Sequence, residues 1–240
     1  MKVLFLLNGL GLGNSTRCHA VMQRLNKRGA TIEAITSGNG LWYFQDKLEV
    51  RKIHVSQPLH YGSSQGKISI WRTFAAPQDI IRSLNESARA LDETLVTFRP
   101  NVVVTDSEYV FRPAKRRKIP IVAINNADLV FWNYRRFGDA PISVAPQFYC
   151  VELLDALFHK IVPDVVISPA LGPDVPSDSD RIKHVGPIVR EGYLARDGDG
   201  AEAESRSVIM LSGSNFGTQI TFGANPPSMA VDILGRDEPE

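Results

Sequence analysis

Val3–Leu7 is a continuous apolar run that stops at Asn8-Gly9, the pattern of a strand buried on both faces of a parallel sheet. Beyond the glycines, Cys18, Val21, Met22 and Leu25 recur at i, i+3, i+4 and i+7 and give one apolar helix face, with Gly29 at its stop. Thr31–Thr36 and Val50–Val55 read as the next two strands, whereas residues 56–76 hold no sustained period and read as a long functional loop. From Gln78 the spacing of Ile80, Ile81, Leu84, Leu91 and Leu95 predicts a long amphipathic helix, with Pro77 at its first turn. Strand, turn and helix then repeat. Asn101–Thr105 is a strand ending at Asp106, Tyr109–Lys118 a short basic helix, and Ile119–Ile124 a strand ending at Asn125-Asn126. Helix Glu152–Ile161 and strand Asp164–Ser168 follow. This alternation predicts an α/β fold, a Rossmann-like doubly wound parallel sheet with helices on both faces.

The pattern changes after residue 168. Residues 169–181 are rich in Pro, Asp and Ser and read as a surface loop; Ile182–Val189 contains one more strand; residues 190–206 are polar and acidic, as in a connection between domains. Val208–Leu211 opens a new strand before Ser212-Gly213-Ser214, and Pro226-Pro227 excludes a helix beyond it. One strand and a glycine turn do not bury a core. The expected organisation is a Rossmann-like domain over 1–181, a crossover strand and linker over 182–206, and an incomplete second domain over 207–240.

Composition narrows the class. With 240 residues, 43% hydrophobic and 22% charged, the chain is excluded from collagen-like, coiled-coil and wholly disordered proteins. No uncharged apolar run approaches the ~20 residues of a membrane-spanning helix. The opening MKVLFLLNGLGL carries a single Lys2 and no clean cleavage site, so it does not read as a signal peptide. Cys18 and Cys150 provide neither a disulfide framework nor metal-ligand spacing, and a reducing cytoplasm is the expected compartment. Net charge is +1, yet residues 1–136 carry 20 Lys/Arg against 10 Asp/Glu, and residues 137–240 carry 7 against 16. A basic first half suits an anionic ligand or an anionic membrane surface; a solvated charged face is the alternative.

The richest motif is Gly9-Leu10-Gly11-Leu12-Gly13-Asn14-Ser15-Thr16-Arg17, which joins the first strand to the first helix. Glycines admit a ligand close to the backbone, and the free N–H groups of a helix start attract anions. The third glycine of a dinucleotide fingerprint is absent: it would fall on Asn14 or Thr16. The second strand ends in Thr36-Ser37 instead of a ribose-binding acid, and no Walker lysine follows, so NAD and P-loop ATP binding are disfavoured. Asn14 and Ser15 also have the composition of helix caps. Arg17 is an odd cation near a helix start, consistent with an anion contact. Asp106 ends its strand at the carboxyl edge, where it either orients or deprotonates an acceptor hydroxyl or caps the next helix. Asn125 and Asn126 close the adjacent strand as acceptor contacts or turn formers. None of the five histidines has metal-ligand spacing and none is assigned chemistry, with His60 in the long loop the least excluded.

With these residues in place the chain resembles GT-B glycosyltransferases. GLGNSTRCHAVMQRL after MKVLFLLN is similar to the loop and first helix of the group with a G-x-G-H-x-x-R pattern, related to N-acetylglucosaminyl- and galactosyltransferases of peptidoglycan and glycolipids. RPNVVVTDSEY, IPIVAINNA and RIKHVGPIVRE agree, and VIMLSGSNFGTQ is similar to the opening of the second, donor-binding domain. The resemblance implies transfer of a hexosyl group from a nucleotide-diphosphate sugar, UDP-linked by analogy, to an acceptor hydroxyl, with no cofactor and no metal. It implies that Asp106 and Asn14 are catalytic; that Gly11, Gly13, Ser15, Arg17, Asn125 and Asn126 bind substrate; and that Ser212, Gly213 and Ser214 touch the donor. Two departures stand out. Asn14 occupies the family's histidine position, and an amide does not accept a proton near neutral pH. The late glycine-rich, acid-containing donor motif is also absent. The alternative reading is therefore an inactive, truncated binding module, or one subunit of a two-chain glycosyltransferase whose partner chain supplies the donor domain. Interleaved rings and cations at 42–44, 71–72, 111–112, 115–118 and 131–137 suit a small-molecule, lipid-linked or phosphorylated acceptor, or a peripheral contact with the inner face of the membrane, with single-stranded nucleic acid the weaker alternative. No nucleic-acid-binding motif accompanies them.

Overall fold

Lys2–Leu7 forms β1, and Val3 to Leu7 are wholly buried. The computed structural model describes residues 1–57, 63–64, 67–68, 77–138, 141–191, 206–210 and 230–234. Helix α1 (Leu12–Lys27), β2 (Thr31–Thr36), α2 (Gly38–Phe44) and β3 (Lys52–Val55) follow β1. A two-residue antiparallel pair, β4 (Ser63–Ser64) with β5 (Lys67–Ile68), lies inside the long loop. Then come α3 (Pro77–Phe98), β6 (Val102–Asp106), α4 (Arg112–Arg116), β7 (Ile121–Ile124) and α5 (Ala127–Phe137). Short helical turns over Ile142–Val144 and Ala145–Gln147 and a π turn over Phe148–Glu152 lead into α6 (Leu153–Ile161). Strands β8 (Val165–Pro169) and β9 (Ile182–Val185) complete the main sheet.

The seven strands are ordered β3-β2-β1-β6-β7-β8-β9 and all their pairings are parallel. The uninterrupted apolar run of β1 splits by its period of two. Val3, Phe5 and Leu7 pack with Cys18 and Met22 of α1 and Phe44 of α2. Leu4 and Leu6 pack on the other face with Leu91 and Leu95 of α3 and Ala114 of α4. The expected doubly wound α/β sheet is the fold observed. Between α1 and β6–β8, an open groove of about 300 Å³ is lined by Val102, Val104, Val122 and Ile167, with Ile188 on it.

Several boundaries differ from the expectation, each for a local reason. Strand β7 starts at Ile121 because Pro120 has no amide to give; its carbonyl instead accepts from the Val103 amide. Helix α4 is half the expected length: Pro113 fixes its first turn, and Lys118 adopts a left-handed conformation at φ 55°. Helix α2 was not foreseen, since Gly38 and Gly40 obscure a seven-residue period. The strand expected at 208–211 is β10 (Arg206–Met210), and it pairs in parallel with an unforeseen β11 (Ala230–Leu234). Ser212, Gly213, Ser214 and His60 lie outside the described residues. Among the described residues no helix is long and apolar enough to cross a membrane.

Candidate functional site

The start of α1 lies at the carboxyl edge of the sheet, the ligand-binding edge of open α/β folds, where Arg17 reaches the end of β6 at Asp106. Helix α1 begins at Leu12, with Gly11 at the N-cap position, no side-chain cap and no acid in the first turn. Among the described residues no side chain caps its first amides. This corrects the expectation that Asn14 or Ser15 caps the helix: both lie inside it, because the helix starts earlier than its apolar face.

The three glycines of the loop do different work. A Cβ on Gly9 would lie 1.6 Å from the Ser37 carbonyl oxygen, so this glycine lets the loop after β2 pass against the first turn. Around Gly11 and Gly13 nothing lies within 4 Å of such an atom, and the space beside them is open. The loop is held on both sides. Asn8 Oδ1 accepts from the Leu10 amide at 2.9 Å, and Asn8 Nδ2 donates to the Ser107 carbonyl at 3.3 Å. From the other side Asn39 donates its amide to the Gly9 carbonyl and its Nδ2 to the Leu10 carbonyl, both at 2.9 Å.

Arg17 and Asp106 form the charged centre. Arg17 Nε donates to Asp106 Oδ2 at 2.8 Å and its Nη2 to Oδ1 at 2.7 Å, a bidentate pair across 89 positions of sequence. The carboxylate is fully buried, while the Arg17 side chain keeps 23% of its surface. Burial opposes the charge on Arg17, but the Asp106 hydrogen bond and charge outweigh it and hold the guanidinium above its ordinary pKa. Burial pushes the Asp106 carboxyl up, against Arg17 and the weaker Cys18 and Ser107 donors. In this geometry Asp106 does not cap α4, which starts at Arg112, and it is a partner of Arg17 instead of a free base facing a ligand. The anomalous helix-start cation is explained by this pair.

The other expected contacts divide in the same way. Ser15 is fully buried and its hydroxyl has no partner among the described residues, so it does not line the open space. Asn125 is buried: its Oδ1 accepts from the Ala127 amide at 2.6 Å and its Nδ2 donates to Asp155 at 3.4 Å, the turn-forming role. Asn126 is exposed beside it, and its side chain makes no cap bond. Asn14 lies half-buried, with Oδ1 3.5 Å from Arg17 Nη2. The structure thus leaves Gly11, Gly13, Asn14 and Arg17 accessible at the start of α1, and Asn126 exposed at the end of β7.

Glu108 was missed from the sequence. It follows Ser107, a non-glycine residue in the left-handed region at φ 56°, and it is buried. Burial raises its pKa to about 7, opposed by the Tyr109 backbone amide. A second acid two residues past a strand-ending aspartate was the available signal. No group of three or more potential metal ligands occurs among the described residues.

Residues 1–143 match the family model for glycosyl transferase family 1. The chain belongs to that family. No curated protein sequence matches this family 1 chain. Among solved structures it is similar to UGT2 of Phytolacca americana, complexed with UDP-2fluoro-glucose and pterostilbene: TM-score 0.57, 14% identity, 88% of this chain and 60% of that one. It is also similar to the glycosyltransferase of kitacinnamycin, with TM-score 0.56 and 14% identity over 96% of this chain and 70% of that one. The calicheamicin glycosyltransferase CalG4 aligns at TM-score 0.50 and 16% identity over 87% of this chain. At such identities the likeness is one of fold, the N-terminal half of the GT-B architecture. The family 1 chain spans 57% of CalG4 and 48% of MurG from Acinetobacter baumannii.

Proposed function

We propose that this chain is the acceptor-binding half of a glycosyltransferase that moves a hexosyl group from a nucleotide-diphosphate sugar, UDP-linked, to an acceptor hydroxyl. The observation that carries the reading is the uncapped start of α1, with open space at Gly11 and Gly13 and a guanidinium fixed beside it by Asp106. Uncapped amides and a fixed cation suit a phosphorylated or hydroxyl-rich ligand. Asn14, Arg17 and Asn126 would hydrogen-bond the acceptor, and Asp106 would act through Arg17 as a positioning residue. The Phytolacca neighbour, complexed with UDP-2fluoro-glucose and pterostilbene, supports the substrate classes by analogy. A small-molecule or lipid-linked acceptor fits, in a cytoplasmic protein with peripheral membrane contact. The donor would be held mainly by a second unit beginning near residue 207 or by a partner chain, with Ser212, Gly213 and Ser214 next to its phosphates. Residues 182–206 would form the crossover between the two.

Asn14 favours a second reading. An amide in the histidine position, with Asp106 committed to Arg17, suits a binding module or the silent subunit of a two-chain enzyme. The test is transfer of label from UDP-hexoses to extracted acceptors by the wild-type chain and by Gly13→Leu, which fills the open space from within the helix. Transfer that Gly13→Leu abolishes while the fold is retained supports the first reading. No transfer, with no heat on titration with UDP-hexoses, moves the chain to the second.

A further inference from the structure

The solvent face of residues 141–161 is inverted. A surface helix ordinarily turns charged and polar residues to water. Here the exposed residues include Ile142 (91% exposed), Tyr149, Val151, Leu154 (57%), Leu157 and Ile161 (66%). Lys160 is the one charged residue among the exposed positions of this stretch; Glu152 and Asp155 are half-buried. Leu154, Leu157 and Ile161 stand at helical spacing, so they form a continuous stripe along α6.

Cations stand on the elements packed beside this segment. Phe111, at the N-cap of α4, stacks on Phe158 of α6 with centroids 5.4 Å apart. Helix α5 packs against the same segment through Tyr134 and Phe148, stacked 8° from parallel. Lys115, Arg117 and Arg136 on these elements are paired with Asp164, Asp92 and Asp174. Arg112, Arg116, Lys118 and Arg135, together with Lys160, make no ion pair with any described residue. Arg135 instead lies over the Phe131 ring at 5.7 Å.

We propose that this face docks on an anionic lipid surface. The Leu154–Ile161 stripe enters the boundary between headgroups and acyl chains, while the unpaired cations of α4 and α5 meet lipid phosphates. An exposed apolar stripe with unpaired cations on the neighbouring elements is the chemistry of an interfacial helix. A two-fold dimer through the same face would bring these like-charged elements together, which opposes it. The proposal gives a surface to the peripheral membrane contact in the function proposed above, but it stands or falls on lipid binding alone.

The test is flotation of the full chain with vesicles of phosphatidylcholine, with and without phosphatidylglycerol, at low and high salt, alongside sedimentation analysis without lipid. The expected result is binding to the phosphatidylglycerol vesicles that salt weakens. Leu154→Glu/Ile161→Glu should weaken it by roughly tenfold or more, and Arg112→Ala/Arg116→Ala by less. Both pairs are exposed, and an unchanged circular dichroism spectrum confirms the fold. Absence of binding to anionic vesicles, or binding indifferent to both double variants, overturns the proposal. So does a dimer in solution that Leu154→Glu/Ile161→Glu dissociates, since the face would then be covered by a second copy.

Discussion

Arg17 ties the first helix to the end of β6, and the effect of removing it depends on the burial of its partner. Arg17→Ala leaves Asp106 buried without its cation, which costs about 3 kcal/mol or more near neutral pH. Because burial already raises the Asp106 pKa, the lone carboxyl takes up a proton as pH falls, and the deficit shrinks in acid. Chemical denaturation of wild type and Arg17→Ala at pH 8 and pH 5 measures both effects. Arg17→Lys is expected to recover only part of the loss, since an ammonium does not reproduce the two-point contact. Glu108 has the opposite logic. Its folded pKa of about 7 lies above the ordinary 4.5, so the stability it contributes is complete below about pH 4.5 and is lost as pH rises through 7. Glu108→Gln should therefore match wild type in acid and exceed it at pH 8 by on the order of 1–3 kcal/mol, read as a flatter profile of stability against pH. Asp106 was legible in the sequence because it ends an apolar run at a ligand-binding edge. Its partner was not, since an ion pair across 89 positions is fixed by the packing of α1 on the sheet. Glu108 was hidden for a related reason: its burial is tertiary.

At the scale of the element, the glycines of the first loop separate into structural and open positions. Gly9→Ala forces a methyl onto the Ser37 carbonyl, and backbone on both sides must move; a loss of about 2 kcal/mol or more in thermal or chemical unfolding is expected. At Gly13 a Cβ meets no atom within 4 Å, and leucine replaces the poorest common helix former within α1, so a gain of up to ~1 kcal/mol is expected for Gly13→Leu, even as acceptor binding falls. Opposite signs in stability and binding would mark Gly13 as a ligand position. A melting temperature that fell with Gly13→Leu would remove that distinction. Strands with uniform apolar runs were legible because burial on both faces leaves no polar residue to confuse the pattern. Helix starts were less so. Asn14 and Ser15 look like caps by composition, yet Gly11 takes that position because α1 extends beyond its own buried face toward the open edge.

At the scale of the molecule, β9 pairs with β8, and the residues after it return to α1. Arg190 donates to the Tyr43 hydroxyl at 3.1 Å, Glu191 pairs with Lys27, and His184 lies 2.8 Å from Asp128. The packing of the first unit therefore includes contacts from residues 184, 190 and 191. A chain ending at Glu191 should unfold in one cooperative transition near the temperature of the first unit. One ending at Arg181 loses β9 and uncovers the groove under Ile188, and should melt several degrees lower in calorimetry. Alternation of strand and helix announced a parallel sheet, but strand order is not written in periodicity. Polar composition likewise placed a linker at 190–206 without revealing that its first residues are packed.

The strand order also bears on the chain as it is being synthesised. The central strand β1 is made before both of its neighbours: it meets β2 after about thirty residues, yet β6 is a hundred residues away. At roughly 5–20 residues per second, a nascent chain leaves one edge of β1 unpaired for about 5–20 s. That edge carries Val3 to Leu7 without a charge, a proline or a bulge, the devices that protect exposed strand edges elsewhere. The segment that anchors the finished molecule is thus an adhesive edge while the ribosome is still working, and slower translation of residues 37–101 should increase the demand for chaperones.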